Sequence, residues 1–223
     1  MNIDIQVNHV SKTYDGVQIL NDVSLAIEKG TTIGIVGGNG SGKSVLFKII
    51  CGFTEPDTGT VIIRDQQLGT DIDFPEKVGV FINSPGYIEL YNGFKNLKFL
   101  ADINGEIGAE KIKETMKMVG LNPDNKAKVK DYSLGMKQKL GIAQAIMEDQ
   151  EILVLDEPFN ALDYKTYNDM KTIIKQLKTE KRTMLLTSHN YQDIEELCDL
   201  VYLIDDGKLE LLTDELKEKY FNR

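Results

Sequence analysis

The run Gly37-Gly38-Asn39-Gly40-Ser41-Gly42-Lys43-Ser44 follows a short apolar stretch, Thr31 to Val36, and opens Ser44 to Cys51, whose apolar residues recur at helical spacing. This order of strand, glycine-rich turn and helix constrains the fold more than any other stretch, because it is the first half of a parallel α/β unit. The pattern G-x-x-x-x-G-K-[ST] also has mechanical content. Its glycines let backbone amides turn inward around phosphates, and the helix start adds the positive end of its dipole. Lys43 can reach the β- and γ-phosphates of a nucleotide, and the Ser44 hydroxyl can ligate Mg2+. Val45 completes the set expected at the phosphates. A dinucleotide fingerprint fits less well, since the glycines are not spaced G-x-G-x-x-G and a lysine occupies the helix start.

The rest of the chain supplies the sheet and helices that such a loop needs. Ile3, Ile5 and Val7 alternate with polar residues, as do Val23, Leu25 and Ile27, and Asp15-Gly16 and Lys29-Gly30 punctuate them. The first thirty or so positions therefore read as half-buried antiparallel strands. From about Asn96 to Met147 the spacing is helical, with Ile112, Met116 and Val119 on one face. Beyond it, Ile152 to Leu155, Met184 to Thr187 and Leu200 to Ile204 are short apolar runs separated by amphipathic helical stretches, the alternation of a mainly parallel sheet. Asp206-Gly207 reads as a hairpin turn closing that sheet. The expected fold class is α/β, with a mainly parallel sheet, a small antiparallel β subdomain and a helical subdomain. One domain spans residues 1–223: the core and β subdomain take 1–87 and 148–223, and the helical subdomain takes 88–147.

Composition narrows the function classes. With 35 acidic against 26 basic residues the formal net charge is -9, which argues against a broad surface for nucleic acid or anionic lipid. No stretch approaches the roughly 20 apolar residues that span a bilayer, and Met1 to Val10 has no signal-peptide core. The expectation is a chain that neither crosses a membrane nor is exported. Cys51 and Cys198 lie among apolar neighbours without a CxxC pattern and read as small packed side chains of a reducing compartment.

Ile152-Leu153-Val154-Leu155-Asp156-Glu157 delivers two adjacent carboxylates at the carboxyl end of a buried strand, where α/β sheets place ligands. Asp156 is the candidate Mg2+ ligand. If side chains continue to alternate past the strand, Glu157 faces the attacking water and acts as its base.

Further segments follow in a fixed order. Asp131-Tyr132-Ser133-Leu134-Gly135-Met136-Lys137-Gln138 resembles the ABC signature, usually written LSGGQ, and Asn160-Ala161-Leu162-Asp163 resembles the D-loop. Thr187-Ser188-His189-Asn190 resembles the switch-histidine loop, and Tyr14 falls where the family stacks an aromatic on adenine. With the phosphate loop and the Asp156-Glu157 strand, the chain resembles ATP-binding subunits of ABC transporters along nearly its whole length. The fold this implies is the P-loop ABC ATPase core.

The resemblance implies that Ser133 and Gly135 of one subunit cover ATP held by the phosphate loop of another. Asp163 would lie beside the nucleotide, and His189 would contact the γ-phosphate or catalytic water. It also implies ATP and Mg2+ as cofactors, a second nucleotide-binding subunit (identical or a close paralogue), and transmembrane permease subunits as partners. The chain would then sit on the cytoplasmic face of the membrane through those partners. Two alternatives within the resemblance are a soluble ABC ATPase of an assembly or cell-division complex and an ATP-sensing module with little turnover.

Some positions depart from the family pattern. Leu134 stands where the signature has glycine and Met136 where it has glutamine. Tyr-Ser-Leu-Gly-Met-Lys-Gln resembles the bacitracin- and lantibiotic-type branch that exports drugs or peptides. Asn83 stands where the Q-loop has Gln or Glu, so its amide is one methylene short and its contact to Mg2+ is expected through a bridging water.

Overall fold

The computed structural model describes residues 2–82 and 86–221. In chain order the elements begin with β1 (Ile3–Tyr14), β2 (Val17–Glu28), β3 (Thr32–Val36), α1 (Lys43–Ile50), β4 (Thr58–Ile63) and β5 (Gln66–Gln67). Next come β6 (Val78–Phe81), α2 (Gly93–Asn104), α3 (Ala109–Met118), α4 (Leu134–Ile146), β7 (Ile152–Leu155) and α5 (Tyr164–Thr179). The last are β8 (Thr183–Thr187), α6 (Tyr191–Leu197), β9 (Leu200–Asp205), β10 (Lys208–Leu211) and α7 (Asp214–Phe221). Two compact units contain them, one formed by Met1–Glu76 with Thr183–Arg223 and the other by Lys77–Arg182.

In the first unit β1 pairs antiparallel with β2, and Tyr14 lies opposite Val17 across a two-residue turn. Asp15 and Gly16 hold that turn with φ of 50° and 78°. Positive φ at both positions gives the twist that matches a right-handed strand pair. On its other edge β1 pairs with β4, extending the antiparallel sheet. A second strand group is built on β3, which runs parallel to β8 and β9. All of β3 is buried, as a parallel strand covered on both faces must be. Asp206 and Gly207, with φ of 47° and 72°, turn β9 into antiparallel β10.

Gly34 lets β3 lie tight against α6. A Cβ there would come within 2.3 Å of Ile194 Cγ2 and 2.9 Å of Cys198 Sγ. Cys51 is buried and Cys198 half-buried. The alternation in β1 breaks at Asp4, which is only 3% exposed. Its carboxylate accepts from Thr183 Oγ1 and from Arg64 Nε, and Thr183 Oγ1 in turn accepts from Gly30 N–H at 2.8 Å. Partners of this kind are what make a buried carboxylate tolerable.

In the second unit β6 runs parallel to β7, and α4 packs on β6. Two glycines set how close that packing is. A Cβ on Gly79 would lie 1.8 Å from the Ala145 carbonyl oxygen, and one on Gly141 would lie 2.5 Å from Phe81 Cε2. Asn92 caps α2 by accepting from Lys95 N–H at 2.8 Å. The helices α2, α3 and α4 fall in the stretch whose apolar spacing is helical. Among the described residues no helix is long and apolar enough to cross a membrane.

Candidate functional site

The expected phosphate loop leaves β3 at its carboxyl end. Gly37 begins it where no side chain fits, since a Cβ would meet the Ile204 carbonyl oxygen at 2.4 Å and Ser41 Oγ at 2.7 Å. Gly42 is the N-cap of α1 at φ 107°, and a Cβ there would meet the Ile19 carbonyl oxygen at 2.9 Å. Neither position has room for a side chain. Gly38, Asn39 and Gly40 form the exposed lip, and Ser44 and Val45 are half-buried in the first turn of α1.

Lys43 is only 8% exposed. Its ammonium donates to the Gly37 carbonyl at 2.8 Å and the Gly38 carbonyl at 2.9 Å. A buried cation is thus folded back over the loop it belongs to, held by groups that a stronger anionic acceptor can replace. Ser41 Oγ is buried with no hydrogen-bond partner among the described residues. The first turn of α1 carries no acidic residue. Helix-start amides, an ammonium and hydroxyls make a donor set suited to the oxygens of a polyphosphate. On the same unit Tyr14 is 43% exposed at the end of β1, with Lys12 Nζ 5.4 Å from its ring centroid. Lys12 pairs with Asp57 at 2.8 Å, and Thr13 N–H donates to the same carboxylate at 2.7 Å. These contacts, the Lys12 hydrogen bond first, hold the Asp57 carboxyl below the ordinary carboxylate range.

His189 is exposed just past β8. The backbone on either side of it is fixed: Asn190 N–H donates to Ser188 Oγ at 3.1 Å, and Ser188 Oγ donates to the fully buried Asp193 at 3.3 Å. Asn190 also caps α6 by accepting from Gln192 N–H at 3.0 Å. Asp193 is a supporting residue the sequence reading missed; its position in the first turn of a short helix is the only signal it offered.

In the second unit the Asp156 N–H donates to the Phe81 carbonyl at 2.7 Å, which extends the β6 and β7 pairing one step past the strand. Asp156 is 6% exposed. Glu157 departs from the alternation expected of a strand: β7 ends at Leu155, and Glu157 takes a left-handed φ of 52°. A tight turn, not strand periodicity, aims this carboxylate, and a non-glycine residue held in that region carries local strain.

Ser133 is the N-cap of α4, its Oγ accepting from Met136 N–H at 3.2 Å. Gly135 is buried, and a Cβ there would lie 2.6 Å from Thr166 Cγ2 of α5. Leu134 between them is 45% exposed. Asp163 is the N-cap of α5, accepting from the Lys165 and Thr166 amides at 3.1 Å each. Asn83 lies outside the described residues.

Each unit thus carries its own share of the expected chemistry: the phosphate loop, Tyr14 and His189 on one, and the paired carboxylates, Ser133, Gly135 and Asp163 on the other. The ABC transporter family profile matches residues 20–160. The uncharacterized ABC transporter ATP-binding protein YybJ of Bacillus subtilis (strain 168) is 40% identical over 206 residues, covering 92% of this chain and 94% of that protein. The bacitracin transport ATP-binding protein BcrA of Enterococcus faecalis is 33% identical, covering 92% of this chain and 67% of that protein. Among solved structures, the dimeric bacterial ABC transporter cassette MJ0796 superposes with a TM-score of 0.80 at 26% identity, covering 94% of this chain and 99% of that one. The same cassette as a post-hydrolysis dimer bound to ADP and Pi gives 0.83 at 24% identity, with the same coverage.

Proposed function

Since this chain belongs to the ABC transporter family as an ATP-binding subunit, we propose that it hydrolyses Mg-ATP at the interface of a nucleotide-binding pair and passes the work to separate transmembrane permease subunits. In that reading the chain sits on the cytoplasmic face of the membrane through those partners. The observation that carries the reading is Lys43, a buried ammonium held by the Gly37 and Gly38 carbonyls beside the buried Ser41 hydroxyl. A cationic cradle of this kind binds triphosphate by exchanging its internal acceptors for phosphate oxygens.

The roles we assign follow from the chemistry of each group. Residues 37–45 hold the phosphates, and Tyr14 offers its exposed ring to the base. Ser44 and Asp156 hold Mg2+, with Asn83 reaching it through water. The ion, when bound, neutralises charge on the phosphate oxygens. Glu157 accepts a proton from the attacking water and His189 orients the γ-phosphate side of the reaction. Ser133 and Gly135, at the start of α4, present a hydroxyl and helix-start amides to ATP on the second subunit. Asp163 orders the turn beside them. We take residues 88–147 as the subdomain that presents the signature.

For cargo we propose export of a peptide, antibiotic or lipid-like compound. The similarity to a protein named for bacitracin transport supports that class, as does the Tyr-Ser-Leu-Gly-Met form of the signature. Steady-state phosphate release from the purified chain tests the enzymatic core. Mg-dependent release that rises more than linearly with protein concentration is expected of a paired site; tight ATP binding with no release at any concentration would leave an ATP-sensing module instead.

A further inference from the structure

The stretch 87–93, between β6 and α2, and the stretch 129–137, which leads into α4, are joined by four hydrogen bonds. Val129 N–H donates to the Tyr91 carbonyl at 2.8 Å and Lys130 N–H to the Glu89 carbonyl at 3.1 Å. Gly93 N–H donates to Tyr132 Oη at 3.1 Å, and Tyr87 Oη donates to the Lys137 carbonyl at 2.7 Å. The two side-chain bonds bracket Ser133 and Gly135, one ending on the residue before the serine and the other two residues after the glycine.

Both phenols sit against a glycine of the opposite element. A Cβ on Gly93 would lie 2.8 Å from Tyr132 Oη, and one on Gly141 of α4 would lie 2.9 Å from Tyr87 Oη. The contacts are therefore close fits that larger residues would open. Gly93 opens α2, so its N–H is one of the helix-start donors that no residue within the helix can satisfy. Tyr132, 7% exposed, supplies the acceptor. The leucine that the LSGGQ pattern has before its serine would pack there but accept nothing. Burial pushes the Tyr87 phenol well above its ordinary range, so it stays protonated as a donor.

We propose that Tyr87 and Tyr132 are positioning residues that lock the signature turn to the stretch 87–93, so that Ser133 and Gly135 move as one body with it. The consequence for turnover rests on the reading of Ser133 and Gly135 as the contact to ATP on a second subunit; the lock itself does not.

The test uses the full chain with Tyr87→Phe, Tyr132→Phe and both together, since phenylalanine keeps the ring and removes only the hydroxyl. In the double variant, amides of 88–93 and 129–137 should exchange hydrogen about tenfold faster, a change in line with losing hydrogen bonds of ordinary strength. Amides of 37–45 should keep their wild-type rates, and calorimetric affinity for Mg-ADP should not change. Phosphate release at fixed protein concentration should fall several-fold and recover as protein concentration rises, because a loosened signature weakens the pair and not the nucleotide site of its own chain. Unchanged exchange overturns the proposal, as does faster exchange with unchanged turnover. Mg-ADP affinity falling in step with turnover also overturns it, because that marks general loosening. A wild-type chain with no turnover would instead contradict the functional reading, and the exchange result alone then decides the lock.

Discussion

Thr166 Oγ1 donates to the Asp163 carboxylate at 2.7 Å, inside the helix cap that opens α5. The same threonine fills the space left by Gly135, where a Cβ would lie 2.6 Å from Thr166 Cγ2. The end of the D-loop and the signature of one chain are thus in contact through a single side chain. That contact gives Gly135 a reason to be glycine that does not depend on any nucleotide.

The Thr166 hydroxyl, followed by the Thr166 and Lys165 amides, holds the Asp163 carboxyl below the ordinary carboxylate range. Because the folded-state value is depressed, the stability the carboxylate adds is present above the ordinary range and lost as pH falls through the lowered value. The thermal midpoint of the wild type should exceed that of Asp163→Ala by its full margin at neutral pH, and the margin should shrink only below about pH 4. A margin that stayed constant down to about pH 2 would show that the cap does not depend on the charge.

Lys43→Ala removes the buried ammonium of the phosphate loop. Affinity for Mg-ATP by calorimetry should fall by about 100-fold, the loss of charge-assisted contacts worth roughly 2–3 kcal/mol. Ser44→Ala and Asp156→Asn should instead blunt the dependence of binding and turnover on Mg2+. Retention of the wild-type metal response by both would remove these residues from the proposed metal site.

Gly79→Ala tests the packing of α4 on β6. Its new methyl would be driven into the Ala145 carbonyl, 1.8 Å away before any shift. Because the obstacle is backbone, relief requires moving the helix, and overpacking of this kind costs roughly 2 kcal/mol or more. Urea denaturation that places the variant within about 0.5 kcal/mol of wild type would show that α4 yields easily.

What the sequence made legible was local chemistry. Asp15-Gly16 and Asp206-Gly207 are hairpin turns because few other pairs accept positive φ twice, and a reader can see that without knowing the fold. Gly37 to Ser44 reads as a phosphate loop for the same kind of reason, and Ser133 opens a helix because its hydroxyl caps one. What stayed hidden depends on partners far along the chain. Nothing near Gly79 or Gly141 indicates that α4 and β6 will press together there, and nothing near Tyr132 points to the Gly93 amide. Asp4 interrupts an otherwise clean alternation because Thr183 and Arg64 meet it, one of them 179 positions away. The direction expected of Glu157 rests on strand periodicity, which stops two residues before it.

The measurement closest to the central claim is light scattering of purified Glu157→Gln with Mg-ATP over a range of protein concentrations, with released phosphate followed in the same samples. Glutamine keeps the size of the side chain and removes the carboxylate proposed to take the proton of the attacking water. The expected result is a species of twice the chain mass that accumulates with bound ATP and releases almost no phosphate. Adding Ser133→Arg should return it to the monomer, because a bulky side chain would occupy the signature contact to ATP on the second chain. A Glu157→Gln chain that turns ATP over at the wild-type rate would contradict the catalytic assignment on which the account rests.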